Sequence, residues 1–149
     1  MNAEVIVKLT YWKEAVRMKL TTKVNVSADY LFTRLVDVLL YDILRQTNRA
    51  LTLNDLEGFE YQTDYGTERV VTRISNVQPG RGYRIDMRDS QGRVKFIERL
   101  KLRALRPDQV EVQLCKATPT TWYNPVRWGQ ELLYRHNLKK MLRTFEYGY

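Results

Sequence analysis

The chain has 149 residues, 44% apolar and 28% charged, which fits one globular domain able to bury about 68–70% of its unfolded surface without staples. Its net charge of +8, from 25 basic and 17 acidic residues, suits nucleic acid, anionic lipid or an acidic partner, and serves solubility equally well. No apolar stretch approaches the roughly 20 residues that span a bilayer, Met1-Asn2-Ala3-Glu4 opens no secretory signal, and the single Cys115 forms no internal disulfide, so a cytoplasmic setting is expected.

Residues 4–12 alternate weakly (Val5, Val7, Leu9, Tyr11) and are either an extra edge strand or a loose leader. The first clear strand spans Val16–Val26, with Val16, Met18, Leu20, Thr22, Val24 and Val26 on one parity and Arg17, Lys19, Thr21, Lys23 and Asn25 on the other. Ser27 is placed to cap a helix over Ala28–Leu44, and Asp29 suits its positive end. At about 100° per residue, Phe32, Leu35, Val36, Leu39, Leu40 and Ile43 share one face of that helix, and Tyr30, Arg34, Asp37, Tyr41 and Arg45 the other. Thr52 or Asn54 caps a short helical turn that ends at Gly58.

Strand-like runs follow, separated by turn signals at Gly66, Pro79-Gly80, Ser90-Gln91-Gly92 and Pro107-Asp108. Their apolar parities are Phe59, Tyr61, Thr63 and Tyr65; Val70, Thr72 and Ile74; Tyr83, Ile85 and Met87; Val94, Phe96, Leu100 and Leu102; and Val110, Val112 and Leu114. Short turns between consecutive strands predict antiparallel pairing. Thr118–Pro125 is a connector, and a second amphipathic helix spans about Val126–Glu146, with Tyr134, Leu138, Met141, Leu142 and Phe145 on one face. Nothing divides the chain, so one domain over 1–149 is expected, with 1–15 as a possible N-terminal extension of a core over 16–147.

Several stretches resemble an uncharacterised family of bacterial domains, known mainly as a domain of unknown function in Gram-positive bacteria. The residues that carry the resemblance are Val26-Ser27-Ala28-Asp29-Tyr30-Leu31-Phe32 with Leu35, Asp37 and Leu40-Tyr41-Asp42-Ile43, then Leu56-Glu57-Gly58-Phe59-Glu60-Tyr61 and Leu138-Lys139-Lys140-Met141-Leu142. The family looks like part of the START-like, helix-grip (SRPBCC) superfamily. The resemblance implies an α+β fold in which a curved antiparallel sheet of about six or seven strands wraps a long C-terminal helix. It also implies a cavity between sheet and helix for lipids, hormones, polyketides or other apolar molecules. The larger superfamily commonly has seven strands. Six are clear here beside the doubtful leader, and a shortened sheet would shrink or open that cavity.

Residues that carry catalysis are sparse. One histidine excludes a two-histidine metal site, and His136 sits beside Lys139, Lys140 and Arg143, whose charge disfavours its protonated form. Cys115 shares the parity of Glu111 and Gln113, away from the apolar face, so a Cys–His nucleophile is not expected. Gly80-Arg81-Gly82 lacks the context of a phosphate loop. Neither a metal nor a cofactor is therefore expected.

Glu98 is the exception, because it occupies the apolar parity between Phe96 and Leu100. It is either carried near water by a bulge or salt bridge, or it is a polar anchor or general acid/base inside the cavity. The expected ligand walls are Phe32, Tyr61, Tyr83, Met87, Leu138, Met141 and Phe145, with Glu98 as the polar group. Thr22, Thr63 and Thr72 share the inward parity.

Arg93, Lys95, Arg99, Lys101 and Arg103 form a basic row at period two on the outer face. Lys139, Lys140 and Arg143, with Trp122, Tyr123 and Trp128 nearby, form a second basic cluster. The leading expectation is a non-enzymatic binder of a small apolar or amphipathic ligand. The alternative is an interaction module whose basic face meets an acidic protein, an anionic membrane or, less readily, nucleic acid, because the strand carries no aromatics for base stacking.

Overall fold

The computed structural model describes residues 6–12, 15–65, 68–119 and 138–149, with side chains over 17–64, 68–118 and 138–149. In chain order the elements are β1 (Ile6–Trp12), β2 (Ala15–Val24), α1 (Ala28–Thr47), a short 3-10 turn (Leu53–Asp55), β3 (Glu60–Tyr65), β4 (Glu68–Gln78), β5 (Gly82–Asp89), β6 (Val94–Arg106) and β7 (Gln109–Pro119). A closing helix, α2, is described over 138–147; the rest of the predicted Val126–Glu146 helix and the connector after Pro119 lie outside the described residues.

The strands form one seven-stranded sheet in the order β1-β2-β7-β6-β5-β4-β3, antiparallel throughout. The weak alternation before residue 13 is the edge strand of the two readings it allowed: β1 pairs along β2 from Ile6↔Thr21 to Trp12↔Ala15. β2 and β3 lie far apart in the sheet although they are consecutive in the chain, and α1 makes that crossing. From β3 onward the chain meanders back until β7 pairs with β2 from Ala15↔Pro119 to Val24↔Val110. That return places the largely apolar inner faces of β2, β6 and β7 side by side.

α1 is fixed at both ends. The Ser27 hydroxyl accepts from Tyr30 N–H at 3.1 Å, and Asn48 adopts a left-handed conformation (φ 56°) while its N–H donates to the Leu44 carbonyl at 2.8 Å. The helix runs past Leu44 to Thr47, because Asn48 tolerates the left-handed cap that ends it. Its buried side is Leu31, Phe32, Leu35, Val36, Leu39 and Ile43, with Leu40 only half-buried. This stripe packs with Leu20, Val24, Leu100, Leu102, Val110, Val112 and Leu114 of the sheet and with Leu138 and Leu142 of α2. Each such side chain contributes roughly 1.5–3 kcal/mol when fully buried. Glu146 ties α2 to the end of β2: its Oε1 accepts from Asn25 N–H at 2.8 Å.

Three register shifts interrupt the meander, and the last, between Ala104 and Arg106 of β6 against β7, leaves Leu105 as an extra residue. At the first, Asn76 takes φ 54°, and the carboxylate of Glu57 accepts from the N–H groups of Asn76 (3.2 Å) and Val77 (3.0 Å) that the broken ladder frees. At the second, Met87 pairs with Phe96 but Arg88 pairs with Val94, which leaves Lys95 as the extra residue. Asp89 fastens the adjoining hairpin, accepting from the backbone N–H of Gln91 (3.0 Å) and Arg93 (2.9 Å) and from Arg93 Nε (2.9 Å).

β5 meets β6 closely at Gly82, where φ is +145° and a Cβ would run into the Leu100 carbonyl. Gly82→Ala is expected to lower the unfolding free energy by more than about 3 kcal/mol in urea titration. Gly58→Ala (φ +76°, no atom within 4 Å of the added carbon) is expected to cost only the left-handed backbone strain, about 1–2 kcal/mol. Equal losses at the two positions would show that the β5–β6 approach is not what Gly82 serves.

Candidate functional site

Residues paired directly across an antiparallel ladder share a face, so the register assigns the inner surface row by row. One row runs Tyr83–Leu100–Leu114–Leu20, and the next toward the helices runs Leu102–Val112–Thr22. Leu20, Leu100, Leu102, Val112 and Leu114 are buried there under α1 and α2. In the other direction the rows change character. One runs Ile74–Ile85–Glu98–Lys116–Met18, and beyond it lie Tyr61, Thr72, Met87 and Phe96. Tyr61, Tyr83, Ile85, Met87, Phe96 and Glu98 are half-buried rather than buried. The inner face thus has a closed apolar half and a partly accessible half that carries charge.

The charge is an acid–base pair. Glu98 Oε1 lies 3.9 Å from Lys116 Nζ, with side chains 14% and 8% exposed. The same ammonium stands 5.6 Å from the centroid of the Phe96 ring, within cation–π range. Glu98 is salt-bridged, but on the inner face, where the pair does not carry it out to water. Lys116 was not among the expected site residues, although it continues the inward parity of Val110, Val112 and Leu114. Tyr83 sits beside the pair. Burial disfavours its phenolate, and the carboxylates of Glu98 and Asp42 repel it, so its pKa is raised. One wall therefore offers an ammonium, a carboxylate and a phenol held in its neutral form.

The other expected wall residues divide. Phe32 is 3% exposed and belongs to the closed core. Leu138 is buried, while Met141 and Phe145 are half-buried and pack against the same core from α2. Leu138 lines a small cavity of about 20 Å³, room for a single water, with Leu20, Thr22, Val24 and Leu142. Lys139 and Arg143 stand at its mouth beside Lys23 and Glu146, and Lys140 is exposed. Thr22 and Thr72 are buried; Thr63 donates to Gln46 Oε1 at 3.2 Å. Trp122, Tyr123, Trp128, Tyr134 and His136 lie outside the described residues.

The basic outer row is shorter than its spacing implied. The bulge at Lys95 shifts the parity, so Val94 pairs with Arg88 on the outer face, and Lys95, 16% exposed, turns toward Asp89 (3.8 Å) and Glu68 (3.9 Å). Arg93 is taken up by Asp89. Arg99, Lys101 and Arg103 keep the row, exposed, with Arg103 bonded to Glu111 at 3.2 Å. Cys115 faces the same side, paired across with Lys19 and Arg99. Among the described residues no group of three or more His, Cys, Asp or Glu is placed to hold a metal, and no helix is long and apolar enough to cross a membrane.

Residues 18–120 match the family described as Domain of unknown function (DUF3284). The chain belongs to that family. No curated protein matches it. Solved structures show how this DUF3284 domain is built. It is similar to the Aha1 dimer from Colwellia psychrerythraea at 9% identity, covering 87% of this chain and 96% of that one with a TM-score of 0.57. Ara h 8.0201 is similar at 12% identity, 89% and 95% coverage and a TM-score of 0.56. An HSP90 activator from Plasmodium falciparum matches at 9% identity, 85% and 95% coverage and a TM-score of 0.51. At such identities the likeness is one of fold, and the fold is the START-like helix-grip. A conserved protein of unknown function from Enterococcus faecalis aligns with a TM-score of 0.48 at 10% identity over 80% of this chain, which spans 65% of its length.

Two measurements probe the charged wall. A double-mutant cycle of Glu98→Gln and Lys116→Met is expected to give a coupling of about 1–3 kcal/mol in urea unfolding; additive losses would mean the two groups act separately. Tyr83 acts at alkaline pH. Below the ordinary tyrosine value of about 10 both folded and unfolded states keep the proton, and the full contribution is present. Above it the unfolded chain loses the proton first, so stability falls as the pH rises toward the raised folded-state value. Tyr83→Phe is expected to flatten this alkaline loss, and an unchanged slope would place the phenol in water.

Proposed function

We propose that the DUF3284 domain binds a small amphipathic ligand against the half-buried part of its inner sheet face. The observation that carries the reading is the contrast between the two halves of that face. One part is filled by α1 and α2; along β5 and β6 the other leaves Tyr83, Ile85, Met87, Phe96 and Glu98 half-buried beside buried Lys116, Met18 and Ile74. Apolar walls supply affinity, and a few polar groups fix orientation. The ammonium and phenol donate and the carboxylate accepts, so the matching ligand has an apolar body and a polar head that both accepts and donates hydrogen bonds. Phe32 supports this site from the core and does not line it, whereas Tyr61, Tyr83 and Met87 are lining residues. Binding needs no catalytic step, and the domain acts as a carrier or sensor in the cytoplasm, where a single free cysteine is stable.

Native mass spectrometry of the purified protein is expected to show a stoichiometric passenger that denaturation releases. Titration with an anilinonaphthalene sulfonate dye is expected to saturate at one site, and Ile85→Trp, which fills the wall, to weaken the dye at least tenfold. A clean apo mass together with unsaturable dye binding would sink the reading.

A further inference from the structure

β6 outruns β5. The first residue of β5, Gly82, pairs with Lys101, yet β6 continues to Arg106. Past Lys101, β6 keeps its β7 neighbour at Ala104↔Val110 and, beyond a bulge at Leu105, at Arg106↔Gln109, so its regular open edge is short. On its other side the Arg81 carbonyl accepts from Leu102 N–H at 2.7 Å, and no strand of the described sheet pairs with residues 103–106 there. An open groove of about 620 Å³ lies at this step, lined in part by Gln78, Arg81, Lys101, Arg103 and Gln113. The charged residues lining it among those described are Arg81, Lys101 and Arg103, while the Asp29 carboxylate stands against Gly80, which lines it too. Arg81, Lys101 and Arg103 are exposed, as is the strand end from Ala104 to Arg106. Glu111 takes part of Arg103, which leaves Arg81 and Lys101 as the main charges.

We propose that this overhanging edge docks an extended acidic segment of a partner protein, which adds to β6 as a short strand. A strand edge offers a row of main-chain donors and acceptors, and an added strand takes its affinity from them. Its alternate side chains project to the outer face beside Lys101 and Arg103, where carboxylates at period two find opposite charge. Nucleic acid fits less well, because none of the lining residues is aromatic. A concave groove likewise does not lie flat on a bilayer. The site lies at the other end of β6 from the ligand wall, with inner-parity Leu102 and Ala104 also lining it, and stands or falls independently of that wall.

The test uses a ten-residue peptide alternating Glu and Thr, titrated into the whole protein by NMR. Saturable shifts are expected at the amides of Arg81 and of residues 102–106. Arg81→Ala with Lys101→Ala is expected to weaken binding at least tenfold, as does raising the salt concentration. Replacing each Thr of the peptide by Pro, which removes the donors, is expected to abolish binding. The charge-reversed pair Arg81→Glu with Lys101→Glu should bind the matching Lys-Thr peptide instead. The proposal is overturned if millimolar peptide leaves these amides unmoved or if the Pro-substituted peptide binds equally well. It is overturned too if duplex DNA or phosphatidylserine vesicles engage the same residues more tightly.

Discussion

Where β6 pairs with β7, Leu100 faces Leu114, Leu102 faces Val112 and Glu98 faces Lys116, while Arg99, Lys101 and Arg103 face Cys115, Gln113 and Glu111. Side chains alternate across a sheet with a period of two, so this ladder has no tolerance for slippage. A shift of β6 by one residue would turn Leu100 and Leu102 to water and carry Arg99, Lys101 and Arg103 under α1 and α2. Losing roughly 1.5–3 kcal/mol for each apolar side chain is a large share of the stability of a marginally stable domain. Desolvating unpaired cations adds to that cost. The ladder therefore fixes the core, the charged wall and the basic surface together.

The bulges work within that constraint. An extra residue is tolerated most readily where its free backbone groups find partners, and the sites at Asn76 and Lys95 supply them from side chains. Glu57 reaches the N–H groups of Asn76 and Val77, and the Lys95 carbonyl accepts from Thr118 Oγ1 at 3.0 Å. Bulges bend the strand that holds them. The one at Lys95 lies beside Met87 and Phe96, at the end of the half-buried rows away from the closed core. The residue that breaks the basic row thus also marks the edge of the candidate ligand wall.

Much of this was legible from parity and caps. Ser27, Thr52, Pro79-Gly80 and Pro107-Asp108 announce their caps and turns by chemistry that acts within a few residues. Inward parity found Tyr61, Tyr83, Met87 and Glu98. Lys116 has the same parity, but a lysine reads as solvent-facing until a carboxylate is known to stand across the ladder. The bulge at Lys95 was hidden, since Val94 and Phe96 continue an unbroken apolar alternation whose fault appears only against β5. Phe32 reads as a cavity wall and sits in the core because burial depends on how closely α1 approaches the sheet, a distance no local pattern encodes.

Charge and position together separate the two surfaces. The inner cation, Lys116, is desolvated and stands opposite Glu98 with an aromatic ring nearby, an arrangement that holds a lysine inside at tolerable cost. Arg99 and Lys101 stay in water, where they need no such compensation and contribute little to the fold. Mutation at each surface has a different consequence. Disturbing the inner pair acts on stability, because the desolvation of both charges has already been met by folding. Removing Arg99 or Lys101 leaves the fold intact, and any association at that face carries the salt dependence of screened surface charges. The outer cations are therefore independent of the core, while the inner face is tied to the ladder that builds it.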